Sequence, residues 1–386
     1  MSGFDMPLDF GDPAGLETLR EELRAWLAEH PLPERRPDEE PAEFLVRWHR
    51  MLYSGGWVGL DVPEEYGGRG LTALHQVAVS DELGAGRAPG VPRIGYLAHA
   101  LLEFASEEQR TRLLPPMLAG DNVWCQGFSE PGAGSDLAGM TTYARRDDDG
   151  RGYTVNGQKL WTSYAQYSDY CLLLARTDRD APAHASITAF ALPLDRAGVT
   201  VRPLRAANGD DEFCELFLDD VTLSAHERIG AEGDGWRLAM TTVNYERNAL
   251  DTGHLSKYGL LLERLKHELR DRQGELDDGL VSAVGRCVVD YQVLVAHARR
   301  RTAERLAGRA AGPESSVDKL LMTRAEQRLY ETALRVLPDQ LAQDGGAVYG
   351  EYLYSRAASV YGGTSQIQRN IIAKRLLRLP SASRTS

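Results

Sequence analysis

The chain has 386 residues, a formal charge of −12 and 42% hydrophobic residues, enough for a sizeable core in one large domain or in two or three smaller ones. An acidic chain repels a phosphate backbone, so nucleic acid is excluded as the expected partner. No apolar run reaches the ~18 residues of a membrane span. The N-terminus carries Asp5, Asp9 and Asp12 without a basic-then-apolar leader, and Cys125, Cys171, Cys214 and Cys287 lack zinc or redox spacing. A cytoplasmic protein with reduced structural thiols is expected.

The first zone, 1–122, reads as helical. "GLETLREELRAWLAEH" sets Leu16, Leu19, Leu23, Trp26 and Leu27 at helical spacing until Pro31 and Pro33. "AEFLVRWHRMLYSGGW" puts Phe44, Leu45, Trp48, Met51 and Leu52 on one face and stops at Gly55–Gly56. "SEEQRTRLLPPMLAG" opens on a Ser106–Gln109 capping box and ends at Gly120.

The second zone, 123–228, changes period. "RGYTVNGQKLWTS" alternates around Asn156–Gly157 and predicts a hairpin turning there. "YCLLLART", "ITAFALPL", "GVTVRPL" and "CELFLDDVTL" follow as short strands at sandwich- or barrel-like spacing.

The third zone, 229–386, is helical again. Long amphipathic runs from Gly235 to Leu337 and a final helix in "QIQRNIIAKRLL" predict a bundle. The expected architecture is therefore α+β: an N-terminal helical domain, a middle β domain and a C-terminal helical bundle.

Several motifs are missing. There is no phosphate loop, no GxGxxG after a strand, no HExxH and no GxSxG. His49, His75, His99 and His297 stand alone on helical stretches and read as surface or packing histidines. Arg299–Arg301 reads as a solvated helix face.

"WCQGFSEPGAGSDLAGMTT", Trp124 to Thr142, packs Ser129, Glu130, Pro131, three glycines, Ser135 and Asp136 into a dozen residues. Such a turn can offer several N–H groups and a hydroxyl to an anion or a polar ring edge, or it can be a decorated loop opening the strand zone. In "AMTTVNYERNAL", Ala239, Val243, Glu246 and Leu250 share a helical face. A glutamate on an apolar stripe is either half-buried or snorkelling to water.

"GFSEPGAGSDLA" resembles the signature of the acyl-CoA dehydrogenase family. Further resemblances lie in "GGWVGLDVPEEYGGRGL", "SEEQRTRLLPPMLAGD", "VNGQKLWTSYAQYSDYCLLLART" and "VYGGTSQIQRNIIAKRLLRLP", in family order from about Leu16 to Pro380. The resemblance implies bound FAD. By matched position, Gln126, Phe128 and Ser129 face the flavin's pyrimidine edge. Ser135 lies near the pyrophosphate and the thioester, Trp161 packs on the isoalloxazine, and Ser163 bonds near N5. Thr364 and Gln366 match contacts to the ADP half. The implied reaction removes two hydrogens across Cα–Cβ of an acyl thioester carried by CoA or a carrier protein, and passes electrons to an acceptor flavoprotein.

The base of that reaction sits in one of two places in this family. One directly precedes the "GT" of the C-terminal signature, where this chain has Gly362; the other directly precedes an arginine on a bundle helix, matched here by Glu246 and Arg247. The resemblance therefore implies Glu246 as base and Arg247 as an orienting or thioester-binding group. At Gly362–Gly363 the backbone N–H is expected to donate to the thioester oxygen. The chain departs from the family pattern in "ELRDRQGELDDG", where Arg270 and Arg272 have no following phenylalanine, and in a short segment after Gly345–Gly346. These departures resemble an actinobacterial branch that includes mixed two-subunit assemblies, besides the homodimers or tetramers expected of the family. The alternatives are a flavin-dependent monooxygenase on the same fold and a partner subunit whose active site lies on another chain.

Overall fold

The structure is a computed structural model that describes residues 15–86, 88–89, 95–246, 254–271, 277–307, 312–337 and 347–380. The chain divides into two compact units, one from Leu32–Thr72 with Val91–Glu246, the other from Met1–Pro31, Ala73–Gly90 and Arg247–Ser386.

The first unit is built around an eight-stranded mixed sheet. Its strands are β1 (Trp124–Gly127), β2 (Tyr143–Arg146), β3 (Gly152–Ser163), β4 (Tyr170–Arg176), β5 (Ile187–Pro193), β6 (Val199–Leu204), β7 (Phe213–Ser224) and β8 (Arg228–Ile229). They run in the order β6-β7-β3-β2-β4-β5-β8, with β1 parallel on β4. Helices α2 (Pro41–Ser54), α4 (Gly95–Phe104), α5 (Glu107–Ala119) and α6 (Gly235–Glu246) belong to the same unit. The Ser106–Gln109 capping box forms as expected and satisfies two orphan N–H groups at the start of α5.

The hairpin expected at Asn156–Gly157 is not there. β3 runs straight through this pair, and the turn lies at 147–151, between β2 and β3. Asn-Gly instead marks a bulge in β7. Val155 pairs with Val221 but Gly157 with Leu218, so the extra residue is on β7, where Asp220 has φ 47°. Asn156 and Asp220 lock the bulge: the Asn156 amide donates to Asp220 at 2.9 Å, and Asp220 N–H donates back at 2.9 Å. Glycine is needed at 157 for closeness, because a Cβ there would lie 2.4 Å from Thr142 Oγ1.

A second bulge, on β3 itself, lies between Lys159, which pairs with Leu216, and Thr162, which pairs with Cys214. It changes the side-chain parity of the strand. Tyr153, Val155 and Lys159 face the core before it, and Thr162 faces the core after it. Trp161 is thereby turned outward.

The second unit is a helical bundle. Its described helices are α1 (Leu16–Glu29), α3 (Ala73–Ala85), α7 (His254–Asp271), α8 (Asp278–Leu306), α9 (Ser315–Val336), α10 (Ala347–Ala357) and α11 (Ser365–Ile371), which runs on into a π turn over Ile372–Leu376. Its core joins Val77 of α3 to Leu262 and Leu265 of α7, Cys287 and Leu294 of α8, and Leu329 and Ala333 of α9. Arg20 and Arg24 of α1 both pair with Glu82 of α3, at 3.2 and 2.8 Å.

Two expectations need correction here. The run at Arg299–Arg301 is not wholly a solvated face, since Arg301 is buried and paired to Glu304 at 2.6 Å and Asp318 at 3.5 Å. The stretch Asp278–Glu304 is, by length and composition, apolar enough to cross a membrane. One face of it is committed to the bundle core. All four cysteines are free and buried, and His49 and His99 are satisfied by Leu118 O at 2.7 Å and Asp61 at 3.0 Å.

Candidate functional site

In the sheet unit, the expected flavin contacts converge on the ends of β1 and β3. Leu160 N–H donates to Ser129 O at 2.9 Å, which places Ser129 beside the bulge that carries Trp161. Gln126 lies on β1 opposite Leu172 of β4. A Cβ at 127 would lie 2.6 Å from Cys171 Sγ, so any larger residue there would have to displace the buried thiol. Phe128 is buried, and its carbonyl accepts from Lys159 Nζ at 3.2 Å. Ser135 is exposed, two residues beyond the turn closed by the Glu130–Ala133 bridge.

What holds this turn is an ion pair that the sequence reading did not single out. Lys159 is 0% exposed and Glu130 4%, and they meet at 2.8 Å. Glu130 also accepts from Thr141 N–H (2.6 Å), Thr141 Oγ1 (2.7 Å) and Thr142 N–H (2.9 Å). Burial works against the Glu130 charge, yet the Lys159 ammonium and these donors hold its pKa down to about 2. Charge is therefore kept inside the protein to tie the start of the Gly-rich turn to its end. The signal was present in the alternation of Tyr153, Val155 and Lys159, which puts a lysine on the core face.

Trp161 has φ 63°, a left-handed conformation costly for any residue but glycine, and it is 59% exposed. Its ring meets Phe213 edge-on at 5.7 Å. A large aromatic held in a strained backbone and turned to the outside suits a flat ligand stacked on it. Gln126 Oε1 is buried without a donor. A buried acceptor of this kind fits a ligand N–H such as the flavin imide. The hydroxyls of Thr142, just before β2, and of Thr162 in β3 are also buried without a partner. Ser163 pairs with Phe213 and is followed by Tyr164, which is also left-handed at φ 58°.

The bundle unit carries the other half of the expected contacts. Gly362 and Gly363 have φ 60° and 91°, a double left-handed turn that favours glycine at both positions. Buried Gln368 pins it, its amide donating to the carbonyls of Gly362 (2.9 Å) and Gly363 (3.2 Å). Thr364 caps α11, accepting from Ile367 N–H at 3.2 Å, and Gln366 is exposed. On the other side of the turn, Lys319 of α9 donates to Ala358 O and to Thr323 Oγ1 (3.1 Å), with its ammonium 4.6 Å from the centre of the Tyr361 ring. Its Cε is 3.6 Å from where a Gly362 side chain would begin. Lys319 was not read from the sequence, because only the fold brings it to this turn; Gln368 lies five and six residues along the same motif and carried no sequence signal of its role.

Glu246 is the last residue of α6, whose Leu238, Ala239 and Thr242 are buried. The Glu246 side chain and Arg247 lie outside the described residues, as do Arg272, Gly345 and Gly346. Among the described residues, no group of three His, Cys, Asp or Glu side chains is placed to hold a metal ion.

Residues 14–121, 125–221 and 233–377 match the N-terminal, middle and C-terminal domains of acyl-CoA dehydrogenases. The sequence is 38% identical to acyl-CoA dehydrogenase IpdE1 of Mycobacterium tuberculosis, over 95% of this chain and 98% of that one. In structure it resembles the ChsE4–ChsE5 complex of M. tuberculosis (30% identity, TM-score 0.83, 95% of this chain and 98% of that one). It also resembles the Tcur3481–Tcur3483 steroid ACAD (27%, 0.83, 98% and 100%). Helical, sheet and helical domains in this order, with these matches, define an oxidoreductase acting on the CH–CH bond of acyl-CoA. The chain belongs to the acyl-CoA dehydrogenase family, whose members are FAD-dependent flavoproteins.

Proposed function

We propose that this chain binds FAD and dehydrogenates an acyl thioester at Cα–Cβ, with Glu246 as the base. The observation that carries the cofactor half is Trp161, strained and outward-facing next to the Gln126–Ser129 edge. In this reading Gln126, Phe128, Ser129, Trp161 and Ser163 hold the flavin ring, Ser135 lies near its pyrophosphate, and Thr364 and Gln366 serve the ADP half. Bound FAD supplies a hydride acceptor for the β-hydrogen.

The protein's own part is to make Cα–H acidic and to remove its proton. A fixed N–H donor at the thioester oxygen stabilises the charge that develops there; in this reading the Gly362–Gly363 backbone is that donor, and the hold of Gln368 on its two carbonyls supports it. Glu246 takes the α-proton, and an apolar acyl chain beside it raises its pKa towards working pH. Arg247 orients the site. Glycine at 362 leaves room for a bulky acyl group. With a steroid ACAD among the similar structures, we place polycyclic or branched CoA thioesters ahead of short linear ones. Electrons pass on to an acceptor flavoprotein, and the domain boundaries at 122/123 and 228/229 belong to the same reading.

Anaerobic bleaching of the flavin by a panel of acyl thioesters, linear against polycyclic and CoA against pantetheine, tests the substrate. Glu246→Gln is expected to abolish bleaching while FAD stays bound; unchanged bleaching removes Glu246 as the base. The lack of a carboxylate at 362 and the similarity to two-subunit complexes favour one second reading, a partner subunit completed by another chain. A colourless purified protein that takes up FAD only when co-expressed with its partner is the result that establishes it.

A further inference from the structure

Helices α4 and α6 pack side by side in the sheet unit, and two contacts one turn apart fix their register. Thr241 Oγ1 of α6 donates to Glu103 of α4 at 3.2 Å. One turn further along α6, the Tyr245 ring stacks on His99 of α4, with centroids 4.1 Å apart and planes 12° from parallel. Residues 99 and 103 share a helical face, as do 241 and 245. The helices therefore run antiparallel, and the stack falls on the residue directly before Glu246.

His99 is itself held from behind. Its Nε2 lies 3.0 Å from Asp61 Oδ2, and the two side chains are only 16% and 14% exposed. A carboxylate only accepts, so Nε2 carries the hydrogen and Asp61 sets the plane of the ring. Asp61 stands between buried Leu60 and Val62, and the chain is tied down on both sides of it. Leu71 N–H donates to Leu60 O at 2.7 Å, and Gly70 N–H to Val62 O at 2.8 Å. The end of α6 needs such a hold, since helix ends fray. The buried residues Leu238, Ala239 and Thr242 stop before its last turn, where Val243 is half-buried and Tyr245 is 42% exposed.

We propose, on the reading that Glu246 is the base, that Asp61, His99 and Tyr245 form a brace that aims it. They are positioning residues, acting through the last turn of α6. Two rings stacked face to face resist rotation of that turn about the helix axis, which the single hydrogen bond at Thr241 does not. A base must come within hydrogen-bond reach of the proton it takes, and a misplacement of ~1 Å costs about 100-fold in rate. The brace is therefore felt in the chemical step and not in thioester binding.

The test is anaerobic bleaching of the holoprotein's flavin by octanoyl-CoA and cholanoyl-CoA, a linear and a polycyclic thioester, with the faster of the two used for the variants. His99→Gln keeps a donor for Asp61 and removes the ring. It is expected to slow bleaching at saturating thioester by about 10–100-fold, with the half-saturating concentration, FAD absorbance and thermal melt unchanged. The isotope effect from an α-dideuterated thioester rises, because proton removal then limits the rate. Amide hydrogen exchange at Tyr245 and Glu246, measured without thioester, speeds up. Tyr245→Ala behaves in the same way, Tyr245→Phe keeps the ring and the rate, and His99→Gln with Tyr245→Ala is no slower than either alone. Thr241→Val, which breaks the contact further from Glu246, leaves the rate unchanged. Wild-type bleaching by His99→Gln overturns the proposal, and so does a loss that lies only in the half-saturating concentration or in the melt. Glu246→Gln separates the two readings. If it fails to bleach while His99→Gln bleaches normally, the brace alone is wrong. If it bleaches like the wild type, or if neither thioester bleaches the wild type, the base falls and the brace with it.

Discussion

A buried lysine and glutamate hold the Gly-rich turn, and the two are not equivalent. Removing the Glu130 charge leaves the Lys159 ammonium with only Phe128 O and a distant sulfur. Removing the Lys159 charge leaves a carboxylate that still has the Thr141 and Thr142 donors. Glu130→Gln is therefore expected to cost about 3–5 kcal/mol, Lys159→Met less, and the double variant about as much as Lys159→Met alone, all measured by urea unfolding. Because the folded pKa of Glu130 is depressed, its contribution is present in full above the ordinary value of 4.5 and is lost as pH falls towards 2. Trp161 is the opposite kind of residue. Trp161→Gly removes left-handed strain of about 1–2 kcal/mol and an edge-on contact with Phe213 of similar size. The apoprotein melt is expected to stay near that of the wild type while flavin retention falls, which a purely structural tryptophan would not show.

One stripe of helix α9 faces α10 and the segment that follows it, and it combines charge with burial. Glu326 lies one turn beyond Thr323 and is pushed up to about 7 by burial, then by Glu351, against the pull of Lys319, Arg356 and Lys257. Its folded pKa lies above its unfolded one, so the folded state holds the proton more tightly and this group's contribution falls as pH rises from 4.5 to about 7. Glu326→Gln is expected to raise the Tm at pH 8 and to change it much less at pH 5; an equal shift at both rules out the carboxylate as the cause. Helices were legible in the sequence here because a period of 3.6 is a local signal. The lysine that grips the Gly362 turn was not, since its role depends on which helices meet, and Gln368, though local to the turn, shows its role only once the turn's two carbonyls face it. Asn156–Gly157 misled for a related reason: the pair does mark an irregularity, but the bulge sits on the strand it pairs with. The FAD-signature residues were legible as a motif, while their support, Glu130 with Lys159, needed the sheet.

Across the whole molecule, helices α1 and α3, from the start of the chain, belong to the unit that holds α7 to α11. Val77 of α3 sits in the core with Leu262, Cys287 and Leu329, and α1 is fastened to α3 through Glu82. A fragment beginning at His254 thus lacks part of its own core. It is expected to be molten, with helical far-UV but no near-UV circular dichroism, and a cooperative melt from that fragment would count against this organisation. Local period could not reveal such a division, because it shows what an element is and not which distant element covers it. The bulge in β3 carries a further consequence, about which changes in length the sheet tolerates. Most single-residue deletions in a strand exchange its inner and outer faces. Losing Leu160 is an exception: Lys159 and Thr162 would still point inward on a now regular strand, and Trp161 would still point outward. Only its left-handed backbone and the tie to Ser129 would go. That makes the bulge at 160–161 the stretch of β3 where evolution can shorten the chain without unmaking the core, and at 160 it does so at the expense of how the tryptophan is aimed.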